Sequence, residues 1–216
     1  MGAGATVVGR IITSEACVAE GAAYLTEIEP RFATALAQTG ALPLRLKDDG
    51  FGALLDAIVS QQISVAAAAS IARRLKDAQL ISEADVRAAS ADDLRGCGLS
   101  RPKVKYVKSL AESGLDYAAM RSMPTQQVIA QLIEIKGIGM WTAEIYAMFS
   151  LGRADVFAAG DLALQEAAKI LFELDARPKE KDFNTMAKDW APWRAVAARL
   201  LWAYYRVAKD REGVRT

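Results

Sequence analysis

Apolar residues recur along this chain three and four positions apart, the period of a helix with one buried face. Phe51, Leu54, Leu55, Ile58 and Val59 form the clearest run, which stops at Ser60-Gln61-Gln62. Ser64 caps the next predicted helix, an alanine-rich stretch reaching Leu75 with Ile71 on its buried side. Ser82-Glu83-Ala84-Asp85 and Ser90-Ala91-Asp92-Asp93 both have capping-box spacing, with Asp in place of the usual Glu. Ser100 opens a helix from Arg101 to Ser113 that Gly114 closes, and Pro124-Thr125 opens one that runs into Ile135. Three more follow: Trp141 to Leu151, ended by Gly152; Leu162 to Leu174, after Asp161; and Trp193 to Lys209, after Pro192. No segment alternates as a strand does, and no Asn-Gly hairpin, tandem repeat or low-complexity linker interrupts the series. The predicted fold class is all-α, many short helices joined by short turns.

With 216 residues, 52% of them hydrophobic and 25% charged, the chain can bury a sizeable core as one domain or two closely packed lobes. No apolar run approaches the roughly 20 residues a bilayer span needs. Met1 to Thr13 lacks a charged leader followed by a long apolar core, so the expectation is an intracellular protein, cytoplasmic or at the nucleoid. Cys17 and Cys97 are too few for a four-cysteine metal or iron–sulfur site. Histidine is absent, which excludes a Ser-His-Asp relay, a Cys-His pair and any histidine-ligated metal. Charge chemistry therefore falls to Asp, Glu, Lys, Tyr or Cys. A net charge of +1 decides nothing about nucleic acid, because a basic face can sit within a neutral total.

Against that background, four features can carry chemistry. In Ile135-Lys136-Gly137-Ile138-Gly139-Met140-Trp141-Thr142-Ala143, two glycines stand one residue apart between apolar helical segments. Glycines permit a tight turn and close approach of main-chain N–H groups, and the turn opens onto a helix N-terminus that suits a phosphate. The result is a helix-hairpin-helix, with Lys136 able to add a direct charge. Taken alone, such a Gly-x-Gly is equally an ordinary turn. The second feature, Asp155-Val156-Phe157-Ala158-Ala159-Gly160-Asp161, delivers one carboxylate to the start of a helix. Position alone makes Asp161 an N-cap, which is compatible with stabilising an oxocarbenium-like transition state. Trp202 is the third. Trp193, Val196, Ala197, Leu200, Leu201, Tyr204 and Val207 form one apolar stripe, and Trp202 lies opposite Trp193 among Arg194, Ala198 and Arg206. Trp141 is less distinctive, because it shares a face with Ile145 and Met148 and can simply be core. The fourth feature is the polar break Ser60-Gln61-Gln62-Ile63-Ser64, a loop tip of the kind that carries function and equally what any helical turn looks like. The basic run Arg101, Lys103, Lys105 and Lys108 reads as a solvated face or a phosphate contact.

Together these residues resemble the helix-hairpin-helix superfamily of base-excision DNA glycosylases, and within it the DNA-3-methyladenine glycosylase II family, which removes alkylated bases. The resemblance runs from Phe51 to Tyr204 and is carried by Phe51–Leu75 with Gln61-Gln62-Ile63-Ser64-Val65, Leu94–Leu110, Leu132–Ala143, Val156–Gln165 and Trp190-Ala191-Pro192-Trp193-Arg194 leading to Trp202. It implies a two-lobed helical fold with the active site between lobes: residues 50–153 carrying the hairpin, and 1–49 with 154–216 carrying Asp161 and Trp202. It implies Asp161 as the catalytic carboxylate, Trp141 and Trp202 as base-pocket aromatics, and Gln62 as the wedge entering the duplex. Lys136, Gly137, Ile138, Gly139 and Thr142 would meet the phosphate. No cofactor is implied, although the hairpin carbonyls of such proteins can hold a monovalent cation. The partner expected is duplex DNA with alkylated bases, the protein acting as a monomer.

Three positions depart from the family pattern: glutamine at the wedge where relatives can have leucine, Leu162 where an aromatic can follow the aspartate, and Gly160 where proline or a second acid can occur. Bifunctional members carry a lysine where this chain has Trp141, so Schiff-base chemistry and strand cleavage are not expected. Two alternatives stay open from sequence: a glycosylase for oxidised or mismatched bases, and a non-catalytic helix-hairpin-helix DNA-binding module.

Overall fold

The computed structural model describes residues 8–213, with side chains described as far as Asp210. The described residues are helical, with a single isolated bridge between Ile11 and Arg153 in place of any sheet. The chain begins with α1 (Glu15–Ile28) and α2 (Pro30–Thr39). There follow α3 (Phe51–Ser60), α4 (Val65–Asp77), α5 (Glu83–Ala88), α6 (Ala91–Gly96), α7 (Arg101–Glu112), α8 (Tyr117–Ser122), α9 (Thr125–Ile133) and α10 (Met140–Phe149). The last elements are α11 (Leu162–Leu171), α12 (Glu180–Met186), a 3₁₀ turn (Ala187–Trp190) and α13 (Arg194–Gly213). Two compact units result. Lys47–Leu151 holds α3 to α10, and Gly9–Leu46 joins Gly152 onward to hold the rest.

Local capping accounts for several helix starts. Ser64, Ser82 and Ser100 each accept from a main-chain N–H of the first turn, and Ser90 with Asp93 makes a complete reciprocal box. Each such cap contributes about 1 kcal/mol. Three predicted helices stop two or three residues early, at Ile133, Phe149 and Leu171. Gly137 (φ +96°), Gly152 (φ +66°) and Glu173 (φ +54°) turn left-handed shortly beyond these ends and break the helical ladder.

In the Lys47–Leu151 unit, Leu54, Leu55 and Ile58 of α3, Val104, Val107 and Leu110 of α7, and Val128 and Leu132 of α9 are buried. The basic run on α7 is not simply a solvated face. Lys103 Nζ donates to the Val59 carbonyl at 2.6 Å, and Lys108 Nζ donates to the carbonyls of Arg87 (2.9 Å) and Ala89. Two of the four cations therefore satisfy carbonyls at helix C-termini. Burial pushes the Lys103 ammonium below its ordinary value.

The second unit is built around Trp190. Its ring meets those of Phe32 (5.1 Å), Phe157 (5.4 Å) and Phe172 (5.8 Å), and Phe157 also meets Phe183 at 4.9 Å. Edge-to-face and stacked pairs of this kind add about 0.5–1.5 kcal/mol each beyond area burial. α1 approaches α13 closely at Gly21, where an added Cβ would lie 2.7 Å from Trp193 and Val196. The single stripe predicted for α13 is not what is found. Residues 195–201 are buried all round, Ala198 and Arg199 included, because α1, α2 and α11 surround the helix. Arg199 is accommodated by donating to the carbonyls of Leu44 and Ala195. Burial, with the Arg45 charge beside it, brings its guanidinium down to about 10.

Candidate functional site

The hairpin turn is shaped by its first glycine. Gly137 is at φ +96°, and a Cβ there would lie 2.3 Å from Cγ of Tyr106 on α7. Both the backbone conformation and the tyrosine ring therefore demand glycine. Gly139 is different: its φ of −91° suits any residue, and nothing lies within 4 Å of its Cβ position. It caps α10 without a side chain and so makes no side-chain bond to the first turn of that helix. Lys136, Met140 and Trp141 are exposed around the turn, Trp141 at 47%, so of the readings open for Trp141 the core one does not hold.

Ile138 and Thr142, both expected at the phosphate, have buried side chains. The Ile138 N–H is already committed to the Ile135 carbonyl at 3.0 Å. Ile138 thus anchors the turn and is not among the donors it offers outward. No acidic cluster that could hold a metal occurs among the described residues. A cation at the hairpin would rest on main-chain carbonyls, of which Gly137's already accepts from Gln61 Nε2 at 2.9 Å. That same bond ties the Gln61–Ser64 loop to the hairpin. Gln62 itself is exposed and left-handed, at φ +56°.

In the other unit, Asp161 stands at the N-cap of α11. Its Oδ1 accepts from Ala163 N (2.9 Å), Leu164 N (3.0 Å) and Trp202 Nε1 (3.2 Å). The N-cap role and the proximity to Trp202 are thus one arrangement, made by residues 41 positions apart. Trp202 is half-buried and Leu162 is 64% exposed. The loop leading to Asp161 is pinned along its length. Ala154 N donates to Arg10 O (3.0 Å) and Ala195 N to Ala154 O (2.9 Å). Arg194 forks onto the Asp155 carboxylate (2.6 and 3.0 Å), Phe157 enters the Trp190 cluster, and buried Gln165 donates to Ala159 O at 2.8 Å. A groove of about 1050 Å³ between α1, α2 and residues 40–43 is lined largely by alanine and leucine, and neither Asp161 nor Trp202 contributes to it.

Each unit thus offers one chemical feature: in one a carboxylate held by main-chain amides against an indole, in the other a glycine hairpin opening a helix. The family model described as HhH-GPD superfamily base excision DNA repair protein matches residues 55–192. The chain belongs to the HhH-GPD superfamily. Among relatives of this HhH-GPD protein, the DNA-3-methyladenine glycosylase 1 of Schizosaccharomyces pombe is 32% identical over 178 residues, 78% of each chain. The Bacillus subtilis protein YfjP, named for the same activity, is 29% identical over 74% of this chain, and the match spans 60% of that protein's length. The solved structure of S. pombe 3-methyladenine DNA glycosylase (Mag1) in complex with abasic DNA superposes with a TM-score of 0.73 at 28% identity, covering 85% of this chain and 95% of that one.

Sequence reasoning missed the supports: Tyr106 against Gly137, Lys103 on Val59, Gln165 on Ala159 and Arg194 on Asp155. Lys103, Asp155, Gln165 and Arg194 had stood out only as members of longer runs, none of them with its partner.

Proposed function

We propose that this HhH-GPD protein is a monofunctional DNA glycosylase that excises alkylated bases of the 3-methyladenine type from duplex DNA and leaves an abasic site. The observation that carries the proposal is the bond between Trp202 Nε1 and Asp161 Oδ1, which sets an aromatic ring beside a fixed carboxylate. The activities for which the relatives are named support the same substrate class.

In this reading the Gly137–Gly139 turn and Lys136 hold a backbone phosphate and Gln62 fills the gap left in the duplex. Flipping the nucleotide costs a few kcal/mol, and less where the lesion has weakened pairing or stacking. An N-alkylated purine is cationic, so Trp202 and Trp141 favour it by cation–π attraction of roughly 0.5–2 kcal/mol. As the N-glycosidic bond breaks, the leaving base takes the bonding electron pair and positive charge develops on the sugar. Asp161 stabilises that charge and orients the water that completes hydrolysis. No amine stands at position 141 to attack the sugar, so the strand is left uncut.

The test is base release from methylated duplex DNA by the wild type and Asp161→Asn. Asparagine caps a helix as well as aspartate does, and its Oδ1 can accept the same three bonds, so the substitution removes the charge and spares the fold. The expected result is free 3-methyladenine from the wild type without nicking, a loss on the order of 10²–10³-fold in the variant, and unchanged duplex binding. Full release by the variant would remove Asp161 from the mechanism.

A further inference from the structure

Three contacts around the base of the Gln61–Ser64 loop close on one another. Lys103 of α7 holds the Val59 carbonyl at the end of α3 (2.6 Å), two residues before the loop's first glutamine. Tyr106, one turn along the same face of α7, packs its ring over Gly137. Gln61 completes the circuit with its 2.9 Å bond from Nε2 to the Gly137 carbonyl. On the far side of the loop, Ser64 Oγ accepts from Ala67 N at 3.2 Å and fixes the start of α4.

The loop therefore has a tethered base and a bare tip. Gln61 (φ −58°, ψ 128°) followed by Gln62 at φ +56° follows the backbone course of a type II turn, whose second central residue is ordinarily glycine. Left-handed residues also follow α4 and α11, at Gln79 and Glu173, so the conformation alone does not single Gln62 out. What does so is the combination: a glutamine held left-handed and exposed, beside exposed Ile63 and Val65, on a loop whose neighbouring residue grips the hairpin.

We infer that Gln61 is a positioning residue that couples the phosphate-gripping hairpin to the Gln62 wedge, so that seating the hairpin on a phosphate sets the height and angle at which Gln62 enters the duplex. Gln61 reaches no substrate atom in this role and acts through Gln62. The inference rests on the reading of Gln62 as the wedge.

The experiment is a double-mutant cycle on the full chain, read as single-turnover base release from methylated duplex DNA, with thermal unfolding of each variant in parallel. Gln61→Met keeps the length of the side chain and removes the donor. Gln62→Ala removes the wedge. If Gln61 acts through Gln62, each single variant loses on the order of tenfold, and the double variant is no slower than Gln62→Ala alone. Losses that multiply in the double variant would overturn the coupling and leave the wedge intact. A Gln62→Ala variant as fast as wild type would overturn wedge and coupling together, while loss of release in Asp161→Asn would still stand for the glycosylase. Should Gln61→Met fail to unfold cooperatively, Gln61→Asn, one methylene too short to reach Gly137, takes its place in the same cycle.

Discussion

Gly137 and Asp161 both stand where a turn meets a helix, and the two turns are secured in different ways. Around Gly137 the supports lie behind the turn, in Tyr106 and Gln61, and the outward side is left as exposed main chain with Lys136, Met140 and Trp141 around it. Around Asp161 the supports converge on the carboxylate itself: three donors meet at Oδ1, and Arg194, Phe157 and Gln165 hold the loop before it. In the proposed reading, the hairpin keeps its outward side open for a phosphate, whereas a carboxylate that meets developing charge is fixed beforehand, so no reorganisation is needed as the bond breaks. In that reading, binding and chemistry place opposite demands on two similar pieces of backbone.

The sharpest way to break that contrast is Gly137→Ala. The new Cβ would collide with the base of the Tyr106 side chain, in a left-handed backbone, so a loss of about 2–4 kcal/mol in unfolding free energy is expected by denaturant titration. A variant as stable as wild type would mean that the turn is softer than its contacts imply. On the other loop, Trp202→Phe keeps an aromatic face and deletes the donor to Asp161. Base release should slow about tenfold at saturating DNA, with duplex affinity unchanged. A loss of affinity instead would make Trp202 a binding residue.

Gly139→Ala reverses the pattern of Gly137. With open space at the Cβ position and an ordinary φ, stability should fall by at most about 1 kcal/mol, the difference between Gly and Ala as an N-cap. Duplex affinity should drop several-fold, because the methyl group would stand where the proposed phosphate contact lies. Unchanged affinity would argue that the phosphate sits elsewhere.

The mildest probe concerns Cys17, on α1 in the same unit as Asp161. Hydrogen bonds from the Ser14 hydroxyl first, then from Thr13, bring its thiol down to about 7. The thiolate is the nucleophile, so alkylation should rise with pH through a midpoint near 7 and level off above it. Cys97 is buried, and burial pushes its thiol up, so it should stay unlabelled in the folded protein. Cys17-labelled protein should release bases at the wild-type rate, and a slowed rate would extend the reaction centre beyond Asp161 and Trp202.

Much of this was legible without coordinates, because the signals are local. Apolar spacing and Ser caps mark the helices, two glycines mark the hairpin, and an Asp before Leu162 marks an N-cap. Where a pattern misled, the cause lay in distant residues. Trp202 lies off the stripe predicted for α13, but that stripe dissolves in the fold, since α1, α2 and α11 bury α13 on every side over residues 195–201. Trp141 shares a helical face with core residues and is nonetheless exposed, since helical spacing says which residues share a face but not how far the packing extends along it. The basic residues of α7 were ambiguous for the same reason: whether Lys103 meets solvent, phosphate or a carbonyl depends on Val59, 44 residues away.

The sequence by itself determined the helical class, the missing histidine chemistry, and the two residue types on which the proposed function rests, glycine at the hairpin and aspartate at a helix start. Only the tertiary structure decided what those residues touch. That Oδ1 of Asp161 meets Trp202, that Gly137 lies under Tyr106, and that Gln61 reaches the hairpin are contacts between residues 41, 31 and 76 positions apart. Periodicity and capping act over one or two helical turns, and they carry no information about which distant side chains will meet once the helices pack.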